Sequence, residues 1–179
     1  MAHHLEESIA LLARTPDVLN ALLRDMPDVW TTGREGEGTW NAFDVVAHLI
    51  HTERENWIPR ARMILDFGES QPFAPFDREG NFPQSRSKTL EDLLDEFTQA
   101  RGEGLQQLGD LNLSGHDLER RGKHPALGPV TLSELLATWA AHDLTHLHQI
   151  SRVMAAQYQQ EVGPWRKFLG VMQCGGHGA

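Results

Sequence analysis

The sequence contains one cysteine, Cys174, so no intramolecular disulfide can brace the fold. That cysteine stands in a Gly-rich tail with Gly175, Gly176 and Gly178, a stretch expected to fray. No apolar run approaches the roughly 18–20 residues that cross a bilayer. The opening stretch, from Met1 to Glu7, has no basic region followed by an apolar one, so it does not read as a secretory signal and a cytoplasmic location is expected. Positive charge is also scarce. Lys and Arg total 16 against 25 Asp and Glu, a formal net charge of −9. Such a surface repels phosphate backbones and argues against nucleic acid as a partner. No convincing strand alternation appears, and Gly33, Gly36 and Gly38 lack the Lys-Ser or Lys-Thr that completes a phosphate-binding loop.

What remains is helical. A chain of 179 residues, 40% apolar, can bury one ordinary core. A first helical pattern covers 4–14, breaks at Thr15-Pro16 with Thr15 placed to cap a second piece, and runs on through Val18, Leu19, Leu22 and Leu23 to about Met26. Residues 27–39 read as a loop. A second helix is expected from Asn41, its cap, to about Asp66, with Phe43, Ala47, Ile50, Trp57 and Ala61 on one stripe and an irregularity at Pro59. The long connection at 67–88 carries Phe73, Phe76 and Phe82, and so is expected to pack across the bundle. A third helix starts near Thr89, with Asp92 as capping partner and Gly102 and Gly104 weakening its middle. After a connection at 112–130, Thr131 and Glu134 form a capping box for a fourth helix ending near Gln157. A short helix follows from Pro164 to about Met172. Four long helices and their loops predict an all-α four-helix bundle, one domain over 1–172 with a flexible tail at 173–179.

Ten histidines is a high count for this length; His3 and His4 receive no role. The fourth helix carries Leu132, Leu135, Leu136, Trp139, Leu147, Ile150, Val153 and Met154 on an apolar stripe, which His142 and His146 interrupt. Four residues apart, they project side by side, close enough to reach one ion. Such pairs also occur as core histidines bonded to carbonyls, but an interrupted apolar stripe makes unpartnered imidazoles costly. Asp143 and His148 lie nearby at other angles. The second helix offers a polar stripe, Asp44, His48, His51 and Glu55, which is a solvated face unless it meets the fourth helix. In that event His48 or His51 supplies a third ligand, and periodicity does not choose between them. Three protein ligands and a free position are the open, catalytic kind of site.

The two segments are familiar together. The stretch from Trp40 to Arg54, with its tryptophan, the pair His48-Leu49 and then Thr52-Glu53-Arg54, resembles the second-helix motif of the DinB-like (YfiT-like) superfamily of metal-binding bundles; the stretch from Leu127 to Ile150 resembles its fourth-helix motif. The likeness spans about Leu11 to Met172. It implies a four-helix bundle with long crossover loops, and it places the metal ligands at His48, His142 and His146, choosing His48 over His51. Many relatives carry an acidic residue where this chain has His51, whose role stays open. Characterised relatives include metal-dependent transferases of low-molecular-weight thiols such as bacillithiol or mycothiol, a thiol-dependent isomerase and proposed hydrolases. The resemblance therefore implies a metal-dependent thiol S-transferase acting on small electrophiles, or a metal-dependent hydrolase, or a non-catalytic metal-binding stress protein. Imidazole ligands suit several divalent transition metals, zinc or nickel first among those expected, with a low-molecular-weight thiol as cosubstrate. Asp44 or Glu55 is a candidate to orient an imidazole. Relatives often dimerise, so a homodimer is the partner expected besides a small-molecule substrate. An enzyme would open its metal to a cleft lined by residues such as Trp40, Trp57, Phe76 or Trp139.

Overall fold

A computed structural model describes residues 4–174. The broken first helix is α1 (Leu5–Leu12) and α2 (Thr15–Leu23), followed by one short turn, α3 (Asp28–Thr32), inside the expected loop. Thr15 does not cap α2. It lies inside the helix, and its hydroxyl is spent on Asp143, far away in sequence. The second helix is α4 (Ala42–Thr52), a π-helical turn over Glu53–Trp57, and α5 (Ile58–Phe67). Asn41 caps α4 in a reciprocal box with Asp44. The irregularity expected at Pro59 takes the form of the π turn just before it, because Pro59 has no N–H to offer the carbonyl four residues back.

The connection at 68–88 holds a turn of 3₁₀ helix (Gly68–Ser70) and α6 (Phe82–Ser85). It packs as its phenylalanines demand: Phe73 is buried and Phe82 meets Trp40 edge-on at 5.3 Å. The third long helix is α7 (Leu90–Asp110), capped by Thr89 and Asp92. Its Gly104 is a point of close approach, since a Cβ there would stand 3.3 Å from Glu53 Oε2 and 3.4 Å from the Trp139 ring.

Between 112 and 130 the expectation of no strand fails. After α8 (Gly115–Leu118), β1 (Arg121–His124) pairs antiparallel with β2 (Gly128–Thr131). Four residues per strand leave too few positions for alternation to show in sequence. Thr131 and Glu134 then cap α9 (Leu132–Ala156) as expected. Beyond it the predicted short helix is 3₁₀ instead, at Gly163–Phe168 and Gly170–Met172. Of the tail expected at 173–179, residues 175–179 lie outside the described residues, as does His3.

The packing order is not the chain order. α9 lies against α1 and α4, and α7 lies against α2 and α4. The long connections between α2 and α4 and between α7 and α9 therefore cross the bundle, leaving α4 beside α9. Two apolar clusters fill the interior. One gathers Leu19, Leu23, Val45, Leu49, Leu93, Phe97 and Ile150; the other Leu12, Trp57, Ala61, Leu108, Leu136 and Trp139.

Candidate metal centre

Because α4 and α9 are neighbours, His48 faces His142 and His146. The three Nε2 atoms converge: His142 Nε2 is 3.3 Å from His48 Nε2 and 3.1 Å from His146 Nε2. Ligand atoms of all three lie within 4.8 Å of one another, so the group is able to hold a metal ion. His48 and His146 are buried, and His142 is partly so.

The outer face of two of the rings fixes their protonation. His48 Nδ1–H donates to the Arg78 carbonyl at 2.8 Å, and His146 Nδ1–H donates to Gln149 Oε1 at 2.8 Å. Each neutral ring then carries its lone pair on Nε2, aimed at the common centre. Lone pairs facing one another at such distances repel unless a cation lies between them. His142 Nδ1 is buried with no protein partner among the described residues, which leaves it free to carry that ring's proton. Burial, and after it the neighbouring imidazoles and Arg78, push the His48 pKa down to about 3 and that of His142 to about 2; burial also lowers His146. All three rings are thus neutral near pH 7, the form that ligates metal. This arrangement of three imidazole nitrogens fits a divalent transition metal.

His51 does not join the group. Its ring packs, tilted, at 4.9 Å on Phe76 and lies against Gly80, where a Cβ would come within 2.6 Å of His51 Nε2. Neither suggested carboxylate orients an imidazole: Asp44 is engaged with Asn41 and Arg34, and Glu55 is exposed. A carbonyl and an amide from 78 and 149 do that work. A cleft of about 510 Å³ opens over the triad and is lined by Phe76, Pro125, Thr145 and Gln149 among others. The tryptophans expected there stand behind it. Trp40 packs on His48 at 4.8 Å, Trp57 meets His142 edge-on at 5.1 Å, and Trp139 is fully buried against Trp57.

Beneath the triad lies a feature the sequence reading overlooked. Arg101, 1% exposed, donates from Nε and Nη2 to Glu53 at 3.0 and 2.8 Å, and from Nη1 and Nη2 to Asp143 at 2.6 and 2.9 Å. Its Nη1 also donates to the Leu12 carbonyl at 2.7 Å. Trp139 Nε1–H donates to Glu53 at 2.8 Å and the Thr15 hydroxyl to Asp143 at 2.5 Å. Burial opposes the charge on Arg101, but the hydrogen bonds of the two carboxylates outweigh it and raise its pKa. The ligand helix is thereby tied to α1, α2, the π turn and α7. Asp143 is not off the stripe, as its angle suggested, but on its deepest line, four residues after Trp139 and three before His146. Arg101 likewise follows Phe97 by four. A charged residue in register with each apolar stripe was the signal available.

Residues 11–150 match the family model of the DinB superfamily. Among solved structures, the chain is similar to YfiT from Bacillus subtilis, described as a probable metal-dependent hydrolase with an unusual four-helix bundle topology. The two superpose with a TM-score of 0.69 at 20% identity, over 88% of this chain and 87% of that one, a likeness of fold. No curated protein is significantly similar in sequence.

Proposed function

Since the chain belongs to the DinB superfamily, we propose that His48, His142 and His146 hold one divalent transition metal, zinc or nickel first, and that the cleft above it is the active site of a thiol S-transferase acting on small electrophiles. The observation that carries this reading is the convergence of three neutral imidazoles beneath an open cleft whose lining, among the described residues, includes no carboxylate. Bound there, a divalent ion lowers the pKa of a thiol or water and keeps the resulting anion nucleophilic. The chain's own part is orientation. The Arg78 carbonyl and Gln149 hold two rings so that their lone pairs point inward, and the apolar lining of Phe76, Pro75 and Pro125 limits water.

The choice of thiol rests on the missing base. Nδ1 of His124, the one further imidazole of the cleft among the described residues, accepts the backbone N–H groups of Ala126 and Leu127, both at 3.2 Å, so the neutral ring has its proton on Nε2 and is a donor there. A thiol needs less help to ionise than water does. Hydrolysis is the second reading, supported by the likeness to a bundle described as a probable metal-dependent hydrolase. The test combines metal content and turnover. Purified protein should hold about one ion per chain, His142→Ala should lose it, and a panel of low-molecular-weight thiols should conjugate monochlorobimane only with the loaded wild type. Ester or amide hydrolysis with no thiol turnover would replace the first reading with the second, and full metal retention by His142→Ala would remove both.

A further inference from the structure

The chain is acidic overall, yet the cleft over the triad is basic: among the described residues its charged lining consists of Arg60 and Arg78, joined by the neutral donor His124, with no Asp or Glu. Arginines in this protein otherwise follow a rule. Of those at least partly buried, Arg24, Arg101, Arg120 and Arg152 each meet a carboxylate, whereas Arg60 meets none among the described residues. Its polar partner is the Ala74 carbonyl at 3.3 Å, and its guanidinium lies 5.0 Å from the Phe73 ring and 6.0 Å from that of Phe76. Taking a guanidinium partly out of water without an anion is costly, and a site that does so keeps donors in reserve. Arg78 is exposed and has no ion pair among the described residues; its guanidinium lies 5.6 Å from the Trp40 ring. The loop that supplies the Arg78 carbonyl to His48 thus also places a cation beside the triad, with Phe76 reaching both His48 and Arg60. Asn56 lines the same cleft; the residue is 7% exposed, and its Oδ1, an acceptor, has no protein partner among the described residues, so it plays no part in holding an anion.

We infer that the substrate carries an oxyanion, a carboxylate or phosphoryl group, which Arg60 and Arg78 bind while an apolar portion lies against Phe76 and the adjacent prolines. This rests on the reading of the triad and cleft as an active site, and it narrows the substrate to small organic acids or their phosphorylated counterparts. Planar guanidinium donors match both oxyanions, and the overall charge of −9 makes the local basic pair selective instead of part of a general attraction.

The test is calorimetric titration of zinc-loaded protein at fixed ionic strength with benzoate, phenyl phosphate and the neutral benzamide, which share one ring. At least one anion should bind about tenfold or more tightly than benzamide, the size expected for charge-assisted hydrogen bonds. Arg60→Gln and Arg78→Gln should each weaken it, and the double variant should bind anion and amide alike. Arg62→Gln, whose guanidinium bonds Gln107 outside the cleft, should change nothing. The stronger anion identifies carboxylate or phosphoryl. Equal binding of all three probes, no binding of either anion, or discrimination surviving the double variant would overturn the inference. Zinc at about one per chain with no anion preference would sink this inference alone. An Arg60-dependent anion preference in a chain that retains no zinc would sink the proposed metal chemistry and leave the anion site standing.

Discussion

Replacing Arg101 by Met tests what holds the ligand helix in place. The substitution keeps length and apolar bulk but removes the cation between two buried carboxylates. Glu53 would keep only the Trp139 donor and Asp143 only the Thr15 hydroxyl among the bonds described. Breaking a buried pair by deleting one partner costs about 3–5 kcal/mol, since the other charge is left uncompensated. In a chain of this size about 2–4 °C of melting temperature accompanies each kcal/mol, so a fall of roughly 6–20 °C is expected near pH 7.5. The loss should shrink on acidification. Burial already raises the Glu53 carboxyl above its ordinary value with Arg101 present, and without it the rise is larger. A raised carboxyl pKa means the folded state binds its proton more tightly than the unfolded state. Stability of the variant relative to wild type must therefore recover as pH falls toward the unfolded value of about 4.3. Adding Glu53→Gln and Asp143→Asn to Arg101→Met should also restore much of the loss, because no bare charge then remains. Thermal melts followed by circular dichroism, on matched metal-free samples across pH, measure all three. A loss below about 1 kcal/mol, or one that does not change with pH, would refute the account.

Two further outcomes follow from the triad itself. Metal-free protein should lose stability as pH falls from about 6.5 toward 3, since the folded-state pKa of His48 is about 3, that of His142 about 2 and that of His146 also lowered. Stability from neutral imidazoles is present above the unfolded value and lost below it; denaturation midpoints that fall no more steeply than in a His48→Gln, His142→Gln, His146→Gln variant would contradict this. Gln149→Leu removes the acceptor that fixes the His146 tautomer and should weaken metal binding about 10- to 100-fold, as read by competition with a chelating dye. An unchanged affinity would show that Gln149 does not orient the ring.

Most helices were legible because their signals are local. Apolar residues at three- and four-residue spacing, and the caps at Asn41, Thr89 and Thr131, depend only on neighbours in the chain. The hairpin at 121–131 was not legible, because strands of four residues are specified by their partner and not by their own pattern. Thr15 was misread for a related reason. A Thr before Pro has the chemistry of a cap, but its hydroxyl found a stronger acceptor in Asp143, 128 residues away.

By itself the sequence determined that the chain is helical, acidic and rich in histidine, and that His142 and His146 share a helix face. The family resemblance added His48 as their companion. Only the tertiary structure decided the rest. Crossing connections make α4 a neighbour of α9, so that three Nε2 atoms meet while His51 turns to Phe76. It also joined Glu53, Arg101 and Asp143, each an isolated charge on an apolar stripe, into one buried network, and brought Arg60 and Arg78 to one cleft. The physical reason is the same in each case. A helix's periodicity reports which residues face inward, but the partner that makes an inward charge tolerable comes from another helix, and that choice is made by packing.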